Sequence, residues 1–168
     1  MTRKSFSTAN SKGQLGERIV KDILERKGFI VYRPETDGSH AFDILAIKDK
    51  RRCIAIDVKA KARRTAFPDT GINQRHFEVY QQFSLRHLMP FWLFFVDESM
   101  LEIYGNTLDE LEKPRTVAGR KYPMVSKTAF GVDIRYWPLE AMIKIDNLNC
   151  SQTIDLMQMS QRSYEYHG

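Results

Sequence analysis

The chain has 168 residues, 42% hydrophobic and 28% charged, the balance of a folded globular protein and the length of one domain with a real core. Its net charge of +5 and pI near 9.2 favour a polyanionic partner, and its two cysteines are too few for a disulfide framework or a zinc-ligand pattern. The most apolar stretch, 88–96, is interrupted by Pro90 and far too short to cross a bilayer, and residues 1–8 lack the apolar centre of a signal peptide. The expectation is a soluble, cytoplasmic protein in a reducing compartment, with Cys53 packed as a small hydrophobe.

In chain order, residues 1–10 are expected to be disordered, and Ser11 is a candidate N-cap for a helix running to about Lys27. Gly28 suits its C′ position. Leu15, Ile19, Val20, Ile23 and Leu24 form the apolar stripe of that helix. Glu17 falls at the border of the stripe, in line with Val20 and Leu24, where a carboxylate can lie along a sheet. The alternative is a solvated glutamate placed early in the helix by the macrodipole.

A first strand is expected over 29–33, followed by turn chemistry over 34–39. Two apolar runs come next, 41–47 and 53–59, joined by the polar 48–52. They predict a β-hairpin. With a three-residue loop centred on Lys50, Asp43 and Asp57 stand directly opposite each other, with Cβ atoms roughly 4.5–5.5 Å apart. Alternation then puts Lys59 on the same face as Asp57 and Val58 on the other. A two-residue loop would instead send the carboxylates to opposite faces. Two acids and a lysine converging at one sheet edge make a metal site with a built-in cation; the alternative is a surface ion-pair cluster.

Between Lys48 and Arg64 the only acids are Asp49 and Asp57, against eight lysines and arginines. The stretch 60–71 reads as a basic loop bearing Lys61, Arg63 and Arg64, either an anion-binding surface or a solvated one. A second helix is expected over 72–88, and a strand buried on both faces over 91–96. A paired strand at 101–104 and a short helix at 108–113 follow. Beyond these, the pattern gives a strand over 129–137, a helical turn over 138–143 and a last helix holding Ile154, Leu156, Met157 and Met159. The order α-β-β-β-α-β-β predicts an α/β fold with a mixed sheet and helices on its faces. One domain is expected over 11–168, a core of 11–105 with a C-terminal extension of 106–168.

Glu17, the run 27–33, Gly38-Ser39, Phe42-Asp43-Ile44-Leu45-Ala46 and Ile56-Asp57-Val58-Lys59 occur in this order, with Gln74 on the following helix. The set resembles the PD-(D/E)XK nuclease superfamily, nearest its archaeal Holliday-junction-resolvase-like branch, over roughly residues 11–98. Phe42 stands where the family motif has proline, and Asp57 where glutamate is commoner. The resemblance implies a restriction-endonuclease-like α-β-β-β-α-β core. It further implies a metal-dependent endodeoxyribonuclease that hydrolyses phosphodiester bonds in DNA repair or recombination, with a preference for branched DNA and a homodimeric assembly. Mg²⁺ would be the cofactor, with Mn²⁺ substituting. On this reading Asp43, Asp57 and the Val58 carbonyl hold the metal, Glu17 completes the site, and Lys59 positions the attacking water. Lys61, Arg63, Arg64, Ser39, His40 and Gln74 become candidate DNA contacts, although Ser39 and His40 also suit an ordinary turn and Gln74 a solvated helix surface. A restriction-type or phage repair nuclease, and a catalytically inactive nuclease-fold DNA-binding module, are the alternatives. Tyr80, Phe83, Trp92 and Phe95 read as core residues.

Overall fold

The computed structural model describes residues 3–34, 41–50 and 52–164. Helix α1 (Arg3–Arg26) leads through β1 (Ile30–Tyr32) to the hairpin β2 (Ile44–Asp49) and β3 (Arg52–Lys61). Then come β4 (Asp69–Asn73), α2 (Gln74–His87), β5 (Phe91–Asp97), β6 (Glu102–Thr107) and α3 (Leu108–Leu111). The C-terminal part holds β7 (Arg115–Val117), β8 (Arg120–Tyr122), β9 (Met124–Lys127) and β10 (Asp133–Pro138), a 3-10 turn at Leu139–Ala141, β11 (Ile143–Asn147) and α4 (Cys150–Tyr164).

Helix α1 begins at Arg3 rather than at Ser11, so residues 3–10, expected to be disordered, are helical backbone. Nothing in that stretch stops a helix from propagating backwards, since it contains neither proline nor glycine. The helix ends where the sequence places its end. Gly28 takes φ +82, its N–H donates to the Glu25 carbonyl at 2.9 Å, and the Phe29 N–H donates to Leu24 at 3.0 Å, the two bonds of a Schellman cap. The expected stripe from Leu15 to Leu24 is buried throughout.

The main sheet has the order β1-β2-β3-β5-β6-β11. Its β3–β5 pair is parallel and its other pairs antiparallel. A parallel pair requires a crossover, and α2 lies in it. Core residues occupy both faces of the sheet. Ile44, Ile56, Val58, Phe94 and Val96 pack with α1 and with Leu156 of α4, while Ala55, Phe91, Leu93 and Phe95 pack with Phe77 and Tyr80 of α2 and Trp137 of β10. The strand β5 is accordingly buried on both sides, as its unbroken apolar run predicts. The fold is α/β with a mixed sheet flanked by helices. No helix among the described residues is long and apolar enough to cross a membrane.

Of the second sheet, β4-β10-β9, the sequence reading gives only β10, and β4, β9 and the small hairpin β7–β8 have no counterpart in it. The residues of β4 look like a turn followed by the start of a helix because Pro68 and Gly71 punctuate them. Gly71 instead answers a close strand approach: a Cβ there would lie 2.4 Å from the Arg135 carbonyl. Helix α2 therefore starts at Gln74, where the Asn73 side chain accepts the Arg75 N–H at 2.9 Å. In the same way β10 starts at Asp133 rather than 129, because residues 128–131 form a turn closed by the Gly131 N–H on the Thr128 carbonyl at 2.9 Å.

Candidate active site

The β2–β3 hairpin pairs Ile44 with Ile56, Leu45 with Ala55 and Ile47 with Cys53, the expected register at the site. The ladder shifts between Ile47 and Asp49 and ends with Asp49 paired to Arg52, so an irregularity near the turn, not the expected three-residue loop centred on Lys50, accompanies that register. Just beyond the last ladder pair the Asp43 N–H donates to the Ile56 carbonyl at 2.8 Å, so Asp43 and Asp57 meet at the end of the hairpin. One Asp43 oxygen, Oδ2, accepts the Val58 N–H at 2.7 Å.

Asp57 is 2% exposed. Its Oδ1 accepts two hydrogen bonds, from Lys59 Nζ at 2.6 Å and from the Tyr80 hydroxyl at 2.6 Å. Its Oδ2 is buried and has no hydrogen-bond partner among the described residues. An unpaired buried carboxylate oxygen is expensive to keep unless something else compensates it.

The electrostatics of the neighbours follow from this crowding. Burial, then the charge of Asp57, pushes the Asp43 carboxyl up to about 6, against the opposing pull of the Val58 N–H and Lys59. Burial, then Asp43, raises Glu17 as well, although Arg33 forms an ion pair with it. For Lys59 burial acts against the charge, but Asp57, followed by Asp43 and Glu17, outweighs it and holds the ammonium above its ordinary range. Glu17 reaches the group because α1 lies close on β3. A Cβ at Gly16 would stand 3.0 Å from the Ala60 Cβ and 3.5 Å from Val58 Cγ1.

The donor set can be tested against a metal from these atoms. Among the described residues no three His, Cys, Asp or Glu side chains form a ready-made cage. A hard cation such as Mg²⁺ does not require one, because it keeps several waters and takes one or two carboxylates. Two opposed carboxylates, one of them with an orphaned buried oxygen, fit that demand.

Other candidates from the sequence lie elsewhere in the network. Lys61 continues the Asp57–Lys59 face and donates to the Gly71 carbonyl, and burial followed by the nearby Lys59 lowers its pKa to about 8. Arg63 is held by Asp97, Glu102 and Tyr104. Arg64 forks onto both oxygens of Asp69 and lies 3.8 Å over the Tyr136 ring. Gln74 donates to Glu78 at 3.0 Å while its own Oε1 is buried without a partner among the described residues. Ser39 and His40 fall outside the described residues.

Three neighbours of the site carry no assigned role in the sequence reading. Tyr80 is core by its ring, stacked on Phe91 at 4.6 Å and 9°, and polar by its hydroxyl, whose ionisation burial and Asp57 push far upward. An aromatic in a helical stripe gives no warning of this double use. His76, one turn earlier on α2, has its ring 6.2 Å from that of Tyr80, and its pKa is lowered by burial and then by Lys59. Arg33 is the counter-cation of Glu17.

No family model matches the sequence, and no curated protein matches it. Among solved structures the chain is similar to Hjc, a Holliday junction resolvase from the archaeal hyperthermophile Archaeoglobus fulgidus, at 13% identity and a TM-score of 0.51, over 76% of this chain and 95% of that one. It is also similar to D212, a nuclease from a fusselovirus, at 14% identity and a TM-score of 0.43, over 88% of this chain and 89% of that one. The likeness to Hjc is one of fold.

Proposed function

We propose that this chain is a metal-dependent DNA endonuclease that hydrolyses phosphodiester bonds, with branched DNA as the preferred substrate. The observation that carries the reading is the opposed pair of half-buried Asp43 and buried Asp57, with one Asp57 oxygen unpartnered among the described residues and Lys59 alongside. A structural ion-pair cluster would have no use for the second acid, whose charge only raises the cost of the first. The basic balance of the chain and the fold shared with a Holliday junction resolvase support DNA as the substrate.

Asp43 and Asp57 would hold Mg²⁺ or Mn²⁺, with the Val58 carbonyl as a further oxygen donor. When bound, the ion polarises a phosphate oxygen and lowers the pKa of a coordinated water. Lys59, kept protonated by three carboxylates, orients the attacking water and offsets charge growing on the phosphate oxygens. Tyr80 and Lys59 together pin Asp57 Oδ1, which fixes the direction of its free oxygen. Glu17 borders the pair and is steadied by Arg33. Cutting a junction symmetrically calls for two active sites, and so for a two-fold dimer.

The test is cleavage of labelled four-way junction, linear duplex and single-stranded DNA in Mg²⁺ by wild type and Asp57→Ala. The proposal predicts cleavage that Asp57→Ala abolishes, with the junction cut best. A linear duplex cut best would replace the resolvase-like specificity with that of a restriction or repair nuclease. Tight DNA binding without cleavage in Mg²⁺ or Mn²⁺ would contradict an enzyme and leave a DNA-binding module.

A further inference from the structure

Positive charge in this chain is concentrated in two separate stretches. One is 48–64. The other is 113–132, which carries Lys113, Arg115, Arg120, Lys121 and Lys127 and not a single acid. The remainder of the chain is net acidic, so the +5 total hides a strong segregation.

The fold packs the two stretches together. Arg120 lies 3.2 Å over the Phe67 ring, and Arg64 lies 5.6 Å from the same ring. The buried Tyr122 hydroxyl donates at 2.8 Å to Asp69, the carboxylate that also holds Arg64. The hairpin β7–β8 turns tightly through Ala118 and Gly119, both at positive φ, and is thereby anchored on the segment that continues β3 past Asp57, Lys59 and Lys61.

The cations of this hairpin differ from those around it. Arg63, Arg64 and Arg135 are each matched by a carboxylate. Arg115 donates to the backbone carbonyls of Lys113 and Glu110, which carry no net charge, and has no ion pair among the described residues. Arg120 and Lys121 have no ion pair among the described residues. Unmatched cations on a braced hairpin next to a carboxylate site raise the local concentration of a polyanion. Phe67 is occupied by two guanidinium groups, so the patch suits contacts to a phosphate backbone better than stacking on bases.

We propose that the hairpin β7–β8, through Arg115, Arg120 and Lys121, grips the phosphate backbone of the duplex arm flanking the cleavage site. This rests on the nuclease reading above and gives the C-terminal half of the chain a role in it. The grip is electrostatic and blind to sequence, and it acts on binding rather than on the chemical step.

The experiment measures the affinity of the full chain for a labelled linear DNA duplex over a series of salt concentrations in EDTA. It compares wild type, Arg120→Gln/Lys121→Gln and the single exposed change Lys121→Glu, with thermal unfolding as the check on folding. The expected result is weaker binding to duplexes of unrelated sequence. The slope of log affinity against log salt should become shallower by about 0.9 for each phosphate contact removed. Cleavage by the variants should keep its kcat and show a raised KM. If wild type binds duplex and both folded variants match its affinity and slope, the hairpin is not a DNA contact, although the nuclease reading stands. If wild type binds no DNA at all, the nuclease reading fails and takes the hairpin proposal with it. Should the double variant unfold, Lys121→Glu decides alone, since its side chain is exposed on the hairpin.

Discussion

Asp57, Asp69 and Asp97 are equally buried, at 2%, 0% and 0% exposure, and yet they are treated in opposite ways. Asp69 has both oxygens occupied by the Arg64 fork and gains the Tyr122 hydroxyl at 2.8 Å. Asp97 is similarly saturated, by Arg63, the Ser99 N–H at 3.0 Å and the Ser99 hydroxyl at 2.6 Å. Among the described residues Asp57 keeps one oxygen unpartnered, and it faces a second carboxylate. The saturated acids have the bonding of structural groups; the unsaturated one, on the proposed function, takes a metal ion at its remaining oxygen. On the proposed function, this difference is the one expected between a carboxylate that serves the fold and one that serves the site.

The largest effect expected from breaking this contrast is on stability, at Asp69. Asp69→Ala leaves Arg64 without its partner and should cost about 3–5 kcal/mol in chemical denaturation. Asp57→Asn should do the reverse. Cleavage should fall by about 10²–10³-fold or more, while the unfolding temperature stays level or rises because a repulsive, desolvated charge has gone. A large loss of stability in Asp57→Asn would place Asp57 with the structural acids. Tyr80→Phe removes one of the two donors to Asp57 Oδ1 and leaves the stacked ring in place. About a 10-fold loss of divalent-ion affinity is expected, with a stability change near 1 kcal/mol.

A pH series sharpens the same comparison. The Asp43 carboxyl is raised in the folded chain from 3.8 to about 6, by burial first and Asp57 second. The stability that this proton supplies is fully present below 3.8 and is lost as pH rises through about 6. In EDTA, Asp43→Asn should therefore unfold at a higher temperature than wild type at neutral pH, and the gap should close as pH falls through that window. A constant gap would mean that folding does not raise the Asp43 carboxyl. The smallest effect concerns Glu17. Gly16→Ala brings a methyl within 3.0 Å of Ala60 and should shift α1 by a few tenths of an ångström, with a modest loss of cleavage.

What could be read from the sequence was whatever depended on neighbours close in the chain. The hairpin register was legible because two apolar runs and a short polar turn leave few alternatives. The end of α1 was legible because Gly28 is a local cap. The strand β4 was not, since its partner β10 lies far along the chain and its glycine reports an approach only the fold creates. Arg63 and Arg64 looked like free phosphate contacts for the same reason: which acid meets them, Asp97 or Asp69, is decided by tertiary packing. Tyr80 hid its hydroxyl behind a ring that belongs to the core.

The most direct test is a calorimetric titration of Mn²⁺ into the metal-free protein, with Asp57→Asn as the control. A site built from Asp43 and the free Asp57 oxygen predicts saturable binding to wild type that Asp57→Asn loses while remaining folded. Binding of equal strength in both proteins, or none in either, would contradict the account.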